Sequence, residues 1–325
     1  MSNTQQRLNY IDLAKGICIL LVIIGHTHFP IFIPGLDMIR MPLYFILSGL
    51  FFKDYGGIKA LFKKKFNKIL FPFIFFYLTS YLIFYLTEYA IPNLIISDAK
   101  GILDVFTQRQ YFNGPIWFLL SLFFANIIFC IISLLIKNLY IQLVIVLCIG
   151  YCGVWLGNNS VFVPLMIDSS LTALPFFWFG FVLKKTPILY PNKYDKFNVL
   201  IAFILYGIVI ASYYLLGNMH ISFHYNYIEG SYSLILIIAS FGVISILLLC
   251  KSIKTLPFLT FFGRYSIIPL TTHHLVYRSL QLVIPHDELF GEAIIAFLTV
   301  MICFALIPLF IRFIPWAVAQ KDIWK

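Results

Sequence analysis

Charge is scarce in this chain of 325 residues. Only 11% are Asp, Glu, Lys or Arg, against about 25% in soluble domains. Acidic residues are the scarcest, 13 against 23 Lys and Arg. No polar segment is long enough to bury a core of its own, the longest being 90–113. These shortages exclude a water-soluble globular domain. There is no G-x-S-x-G, no H-E-x-x-H, no P-loop and no G-x-G-x-x-G ahead of a helix, which sets aside the hydrolase, zincin and nucleotide-cradle motifs. The six cysteines fall within apolar runs with no C-x-x-C or zinc spacing, so they read as small core or lipid-facing residues rather than disulfides or metal ligands. His220 and His224 stand four apart in a loop without a third ligand, and no metal site is expected. No internal repeat is visible, which counts against a transporter built from inverted halves.

What is present is apolar length. Hydrophobic residues make up 61% of the chain and aromatics 18%, with 35 phenylalanines. The runs predict an all-α integral membrane protein, a polytopic bundle of about ten spans at 10–28, 37–53, 69–89, 114–136, 139–157, 163–183, 197–216, 230–250, 257–279 and 292–314. One transmembrane domain over 1–325 is expected, without an appended soluble domain. The polar start and the lack of a small-residue cleavage site predict that the first run is retained and is not a signal peptide.

The positive charge is unevenly placed. One set of alternate loops carries Arg7, Lys53, Lys59, Lys63, Lys64, Lys65, Lys68, Lys137, Lys184, Lys185, Lys193, Lys196, Lys251, Lys254, Arg312, Lys321 and Lys325; the other carries only Lys100 and Arg109. By the positive-inside rule both termini are cytoplasmic, in keeping with an even number of spans. The net charge of +10 is therefore a topology signal in a cell-membrane protein, and no nucleic-acid partner is expected.

The first span is unusual because it holds Asp12, Lys15, His26 and His28. Lys or Asp at a helix centre costs about 2.5–3.5 kcal/mol on insertion scales. Lys15 and His26 are eleven residues apart, close to three turns, so they share one face about 16 Å apart along the axis. Lys15 sits low, near the cytoplasmic mouth, and His26 sits towards the outside. Taken singly, Lys15 could snorkel and His26 could serve a structural hydrogen bond. His28, two residues further on, faces elsewhere and reads as interfacial. The span at 257–279 repeats the arrangement, with Arg264 low and His273 high at a depth matching His26; His274 points about 100° away from His273.

Two further stretches carry polar chemistry. Lys63-Lys64-Lys65-Phe-Asn-Lys68 is either a positive-inside anchor or a grip on a phosphate-rich donor. Asn113-Gly-Pro115-Ile-Trp117-Phe118 opens a helix on the outer side, where Trp117 is either an aromatic-belt residue or a platform for a sugar ring.

Together these stretches resemble acyltransferase family 3, and within it the fucose-4-O-acetylase-like group of membrane O-acyltransferases. Lys15 to His26 is similar to the family's opening motif of a basic residue, ten others and His. Arg40-Met-Pro-Leu-Tyr44-Phe-Ile-Leu-Ser48-Gly49 resembles its second-helix signature. Lys65-Phe-Asn-Lys68 resembles its paired basic motif, where the family more often has Arg. Trp117-Phe118-Leu119 resembles its WFL element, and Gly263-Arg-Tyr-Ser266 with His273 its late glycine-to-histidine stretch. The His273-His274 doublet and Pro269-Leu270 depart from the pattern.

The resemblance implies transfer of an acyl group, usually acetyl, from cytoplasmic acetyl-CoA to a hydroxyl of a cell-surface or lipid-linked glycan. Acetyl-CoA is then a substrate, and no tightly bound cofactor is expected. Lys15, Lys65, Lys68 and Arg264 would hold the donor's phosphates. His26 would act as general base or acyl-accepting residue, with His273 stabilising an oxyanion or acting as a second acid or base. Asn113, Trp117 and Arg40 would meet the acceptor, while Asp12, Ser48 and His274 would support the site. The competing reading is a transporter or flippase for a glycan-lipid, with Lys and His lining a permeation path.

Overall fold

A computed structural model describes residues 8–27, 33–90, 101–107, 109, 111–190, 195–217, 219–285 and 289–324. The chain is helical almost throughout: α1 (Asn9–His26), α2 (Asp37–Leu50), α3 (Ile58–Lys65), α4 (Phe71–Ala90), α5 (Asp104–Thr107), α6 (Trp117–Leu135), α7 (Leu139–Asn158), α8 (Ile167–Leu183), α9 (Asn198–Leu215), α10 (Tyr232–Ile253), α11 (Pro257–Arg264), α12 (Ile267–Gln281) and α13 (Leu289–Phe313). Strands β1 (His220–Ser222) and β2 (Tyr227–Glu229) form one antiparallel hairpin, pairing His220 with Glu229 and Ser222 with Tyr227.

Among the described residues, eight helical segments are long and apolar enough to cross a membrane. The two other expected spans are shorter. α2 has 14 residues, about 21 Å at the helical rise. The expected single span 257–279 is two helices, broken at Tyr265–Ser266. α11 starts on Pro257, which suits a first helical position, and ends in eight residues; α12 begins at Ile267 with Pro269 in its first turn, where its missing N–H is not needed. The segment read as a loop at 53–68 is also largely helical. α3 continues through a π-helical turn, Phe66–Leu70, into α4.

α1, α2, α6 and α8 form the centre, whereas α7 and α9 bury few residues and turn apolar side chains outward, as lipid-facing helices do. Phe52 packs edge-on against Phe129, Phe177 and Phe181 at 5.0–6.0 Å between centroids. Two close crossings order this centre. α1 meets α11 at Gly16 and Gly263, and α2 meets α8 at Gly49 and Gly180; a Cβ at any of the four would collide with the facing backbone. Small residues allow such approach where lipid supplies no hydrophobic drive between helices.

Candidate active site

Asp12 organises one end of α1. Its side chain is 6% exposed, with Lys15 Nζ 4.0 Å from Oδ1 and Arg264 Nε 3.5 Å from Oδ2. Arg264 also donates to Asn9 Oδ1 at 3.3 Å, and the Lys15 ammonium lies 5.3 Å from the Phe51 ring centre. The glycine crossing brings these two cations together from helices about 250 residues apart in sequence. Two cations thus converge on one buried carboxylate, and both offset the desolvation of Asp12.

The lysine-rich stretch sits against the last residues of the chain. Lys64 Nζ is 3.0 Å from Asp322 Oδ2, and Lys68 Nζ is 2.8 Å from Oδ1 and 2.6 Å from the Ala319 carbonyl. Asn67 accepts from the backbone of Ile323 and Trp324 at 2.9 and 2.8 Å and donates to the Trp324 carbonyl at 2.8 Å. Lys64 and Lys68, one turn apart, thus share one carboxylate. Among the described residues Lys65 reaches no carboxylate. Hydrogen bonds from Lys68 and Lys64 hold the Asp322 carboxyl below its ordinary range.

At the other end of α1, the His26 and His273 rings stand 5.3 Å apart, tilted by 44°. His273 is wholly buried. Its Nδ1 lies 2.6 Å from the Pro269 carbonyl, and a carbonyl only accepts, so Nδ1 carries the proton and Nε2 the lone pair. Nε2 is buried without a partner among the described residues. Such an imidazole presents an acceptor nitrogen at Nε2.

A cavity of about 400 Å³ opens beside His26 and reaches down to Val22; Arg40, Trp117, His224 and His274 are among its walls. The doublet thus divides: His274 lines the cavity, and His273 packs against His26. Arg40 lines the cavity, ion-paired with Asp37 and 3.4 Å from the Leu21 carbonyl. His224 stacks on one face of the Trp117 ring at 5.6 Å and 23°. Asn113 is a brace: it donates to the Thr271 carbonyl at 2.6 Å and to Ser80 Oγ at 3.3 Å, tying α4 to α12, and it lies outside the cavity wall. Ser48 accepts from Asn126 at 3.2 Å and joins α2 to α6. His28 lies outside the described residues.

Sequence reasoning missed the roof of this cavity. The hairpin brings Ile221, Phe223 and His224 over it. Arg109 and Asp168 fasten the hairpin from below. They form an ion pair in which the Asp168 side chain is fully buried; Arg109 also donates to the His224 carbonyl at 3.2 Å, and its own carbonyl meets His224 Nε2 at 3.0 Å. Ser169 adds a bond to the Phe223 carbonyl at 2.6 Å. Burial lowers the His224 pKa to about 4. The lead into α8 is strained to place Asp168, with Leu165 and Met166 at φ 62° and 59°. The signal available was the polar–apolar alternation His220-Ile221-Ser222-Phe223, followed by Asn226, a residue that tolerates the left-handed region.

This fold defines a multi-pass all-α membrane protein with cations at one end of its first helix and paired histidines at the other. The chain belongs to acyltransferase family 3: the family model described as acyltransferase domain matches residues 8–312, nearly its whole length. No curated protein and no solved structure matches it. The protein is therefore a membrane acyltransferase.

Proposed function

We propose that the protein moves an acetyl group from cytoplasmic acetyl-CoA to a hydroxyl of a cell-surface or exported glycan. Both termini and the lysine-rich loops then face the cytoplasm of the cell membrane. The observation that carries this reading is the contact between His26 and His273 beside the cavity floor, with Asp12, Lys15 and Arg264 at the far end of the same helix. About 16 Å of helix separates Lys15 from His26, a span suited to a pantetheine arm whose phosphates stay at the cations.

In this mechanism the acceptor lies in the cavity with its hydroxyl at His26. The hydroxyl oxygen attacks the thioester carbonyl while His26 takes its proton. The tetrahedral intermediate collapses by breaking the carbon–sulfur bond, and the proton passes to the leaving thiolate, so ester and free CoA result. General-base help of this kind is typically worth 10²–10⁴-fold. The bond from His273 Nδ1 to the Pro269 carbonyl favours a base at Nε2, so His273 supports His26 as a second proton acceptor. Arg40 faces the acceptor, and Trp117 supports the wall through His224.

The test is His26→Ala in purified enzyme supplied with labelled acetyl-CoA and glycan. Turnover falling by at least two orders of magnitude is expected, and unchanged turnover overturns the reading. A label retained on wild-type His26 in the absence of glycan would replace direct attack by an acyl-histidine route.

A further inference from the structure

The face that bears the lysine-rich loops holds a second concave site, away from Asp322 and from Asp12. It is a cavity of about 540 Å³ between the end of α2, the α6–α7 turn and the end of α8. Lys53, Lys137, Lys184 and Lys185 line it, with Asp54 as the one acid, a net charge of +3. Among the described residues none of these four ammoniums lies within 4.0 Å of a carboxylate. The contrast is with Lys64 and Lys68, whose charge Asp322 already meets.

The lysines are nonetheless held. Lys137 Nζ donates to the Ser133 carbonyl at 2.8 Å and Lys184 Nζ to the Phe52 carbonyl at 3.4 Å. Lys185 Nζ sits 4.8 Å from the Phe181 ring centre. An ammonium has three donors, so Lys137 and Lys184 each keep two for a ligand. The turn that carries Lys137 is fixed as well, because Asn138 caps α7 through Tyr140 and Ile141 N–H at 2.9 and 3.2 Å. Gln142 adds a second kind of group. It is 3% exposed, its Nε2 donates to the Ile136 carbonyl at 2.6 Å, and its Oε1 is buried with no partner. An unmet acceptor beside four unneutralised cations asks for a ligand with both negative charge and a donor.

We propose that this cavity binds a phosphate ester that also carries a hydroxyl or amino donor, the phosphate on Lys53, Lys137, Lys184 and Lys185 and the donor on Gln142 Oε1. Two sources share that chemistry: the headgroup of an anionic glycerophospholipid and a soluble nucleotide phosphate. Neither binding reading needs the transfer chemistry proposed above, and binding is measured without turnover.

The experiment uses the full chain in phosphatidylcholine nanodiscs. One arm adds increasing phosphatidylglycerol and counts retained lipids by native mass spectrometry; the other titrates adenosine 3′,5′-bisphosphate by calorimetry. Saturable binding in one arm is expected, weakened about tenfold or more by K184Q/K185Q, since a charge-assisted bond is worth about a decade in affinity. Lys184→Arg should retain it, and Gln142→Leu should weaken it with all four lysines in place. Unchanged elution profile and melting temperature will show that the variants fold. Binding in the lipid arm names a headgroup site, and binding in the nucleotide arm names a soluble-nucleotide site apart from the cations at Asp12. No saturable binding in either arm, or binding equal in wild type and K184Q/K185Q, overturns the proposal.

Discussion

Gly16 and Gly263 hold α1 and α11 in backbone contact, and the Asp12 cluster exists because of it. A Cβ on Gly16 would run into the Leu259 carbonyl, and one on Gly263 into the Asp12 carbonyl. Gly16→Ala must push the helices apart. Overpacking of this kind costs about 1–3 kcal/mol, so the melting temperature should fall by several degrees. The separation also takes Arg264 out of reach of Asp12, and donor KM should rise more than kcat falls. An unchanged donor KM in a folded Gly16→Ala protein would detach the crossing from donor binding.

His273→Asn tests the hidden imidazole. Asn fills part of the space but offers no basic nitrogen at the Nε2 position. We expect kcat to fall by about 10²-fold or more, within the range of a lost acid–base group, with acceptor KM little changed because His273 lies behind the cavity wall. His274→Asn should show the opposite split, raising acceptor KM, because His274 lines the cavity.

Asp322→Asn separates two uses of the paired lysines. In the wild type the carboxylate meets both Lys64 and Lys68. Removing its charge frees Lys64 and Lys68, the second of which the sequence reading assigns to the donor's phosphates. If these cations help to draw in the donor, its KM should drop several-fold at low salt, the difference fading as screening shortens the reach of the charges. A rise in donor KM would instead make the tail part of the donor site.

The Arg109–Asp168 pair sits where charge is costly to strand. Removing one partner of a buried pair typically destabilises by about 3–5 kcal/mol. Asp168→Asn should therefore lower the melting temperature and speed amide exchange across β1 and β2, whose anchor at His224 runs through Arg109. Slow exchange in the hairpin of a folded Asp168→Asn variant would show that other contacts fix it.

Acid should loosen the same roof. Burial lowers the His224 pKa from its ordinary 6.5 to about 4, so between those values the unfolded chain binds more protons than the folded one. Stability from this residue is fully present above pH 6.5 and is lost as pH falls towards 4. His224→Gln should flatten that part of the pH–stability curve relative to wild type, as read by thermal unfolding at pH 4.5, 5.5 and 7.

The sequence by itself determined the class of protein and the separation of cation and imidazole along its first helix. Scarce charge, apolar runs and lysines in alternate loops are local properties, and hydropathy responds to them whatever the chain does elsewhere. The spacing of Lys15 and His26 placed a cation and an imidazole on one face because helical pitch is fixed, and the motifs carried the family. Only the tertiary structure decided which partners meet. Asp322 reaches Lys64 across 258 residues and Arg109 reaches Asp168 across 59, and no periodicity encodes such pairs. The crossings decided the rest: glycines let α11 end against α1, splitting the run at 257–279 and setting His273 behind His26 with His274 at the cavity, while the hairpin closed over Trp117. Hydropathy averages over a window; these placements depend on single atoms that clash or fit between helices distant in sequence.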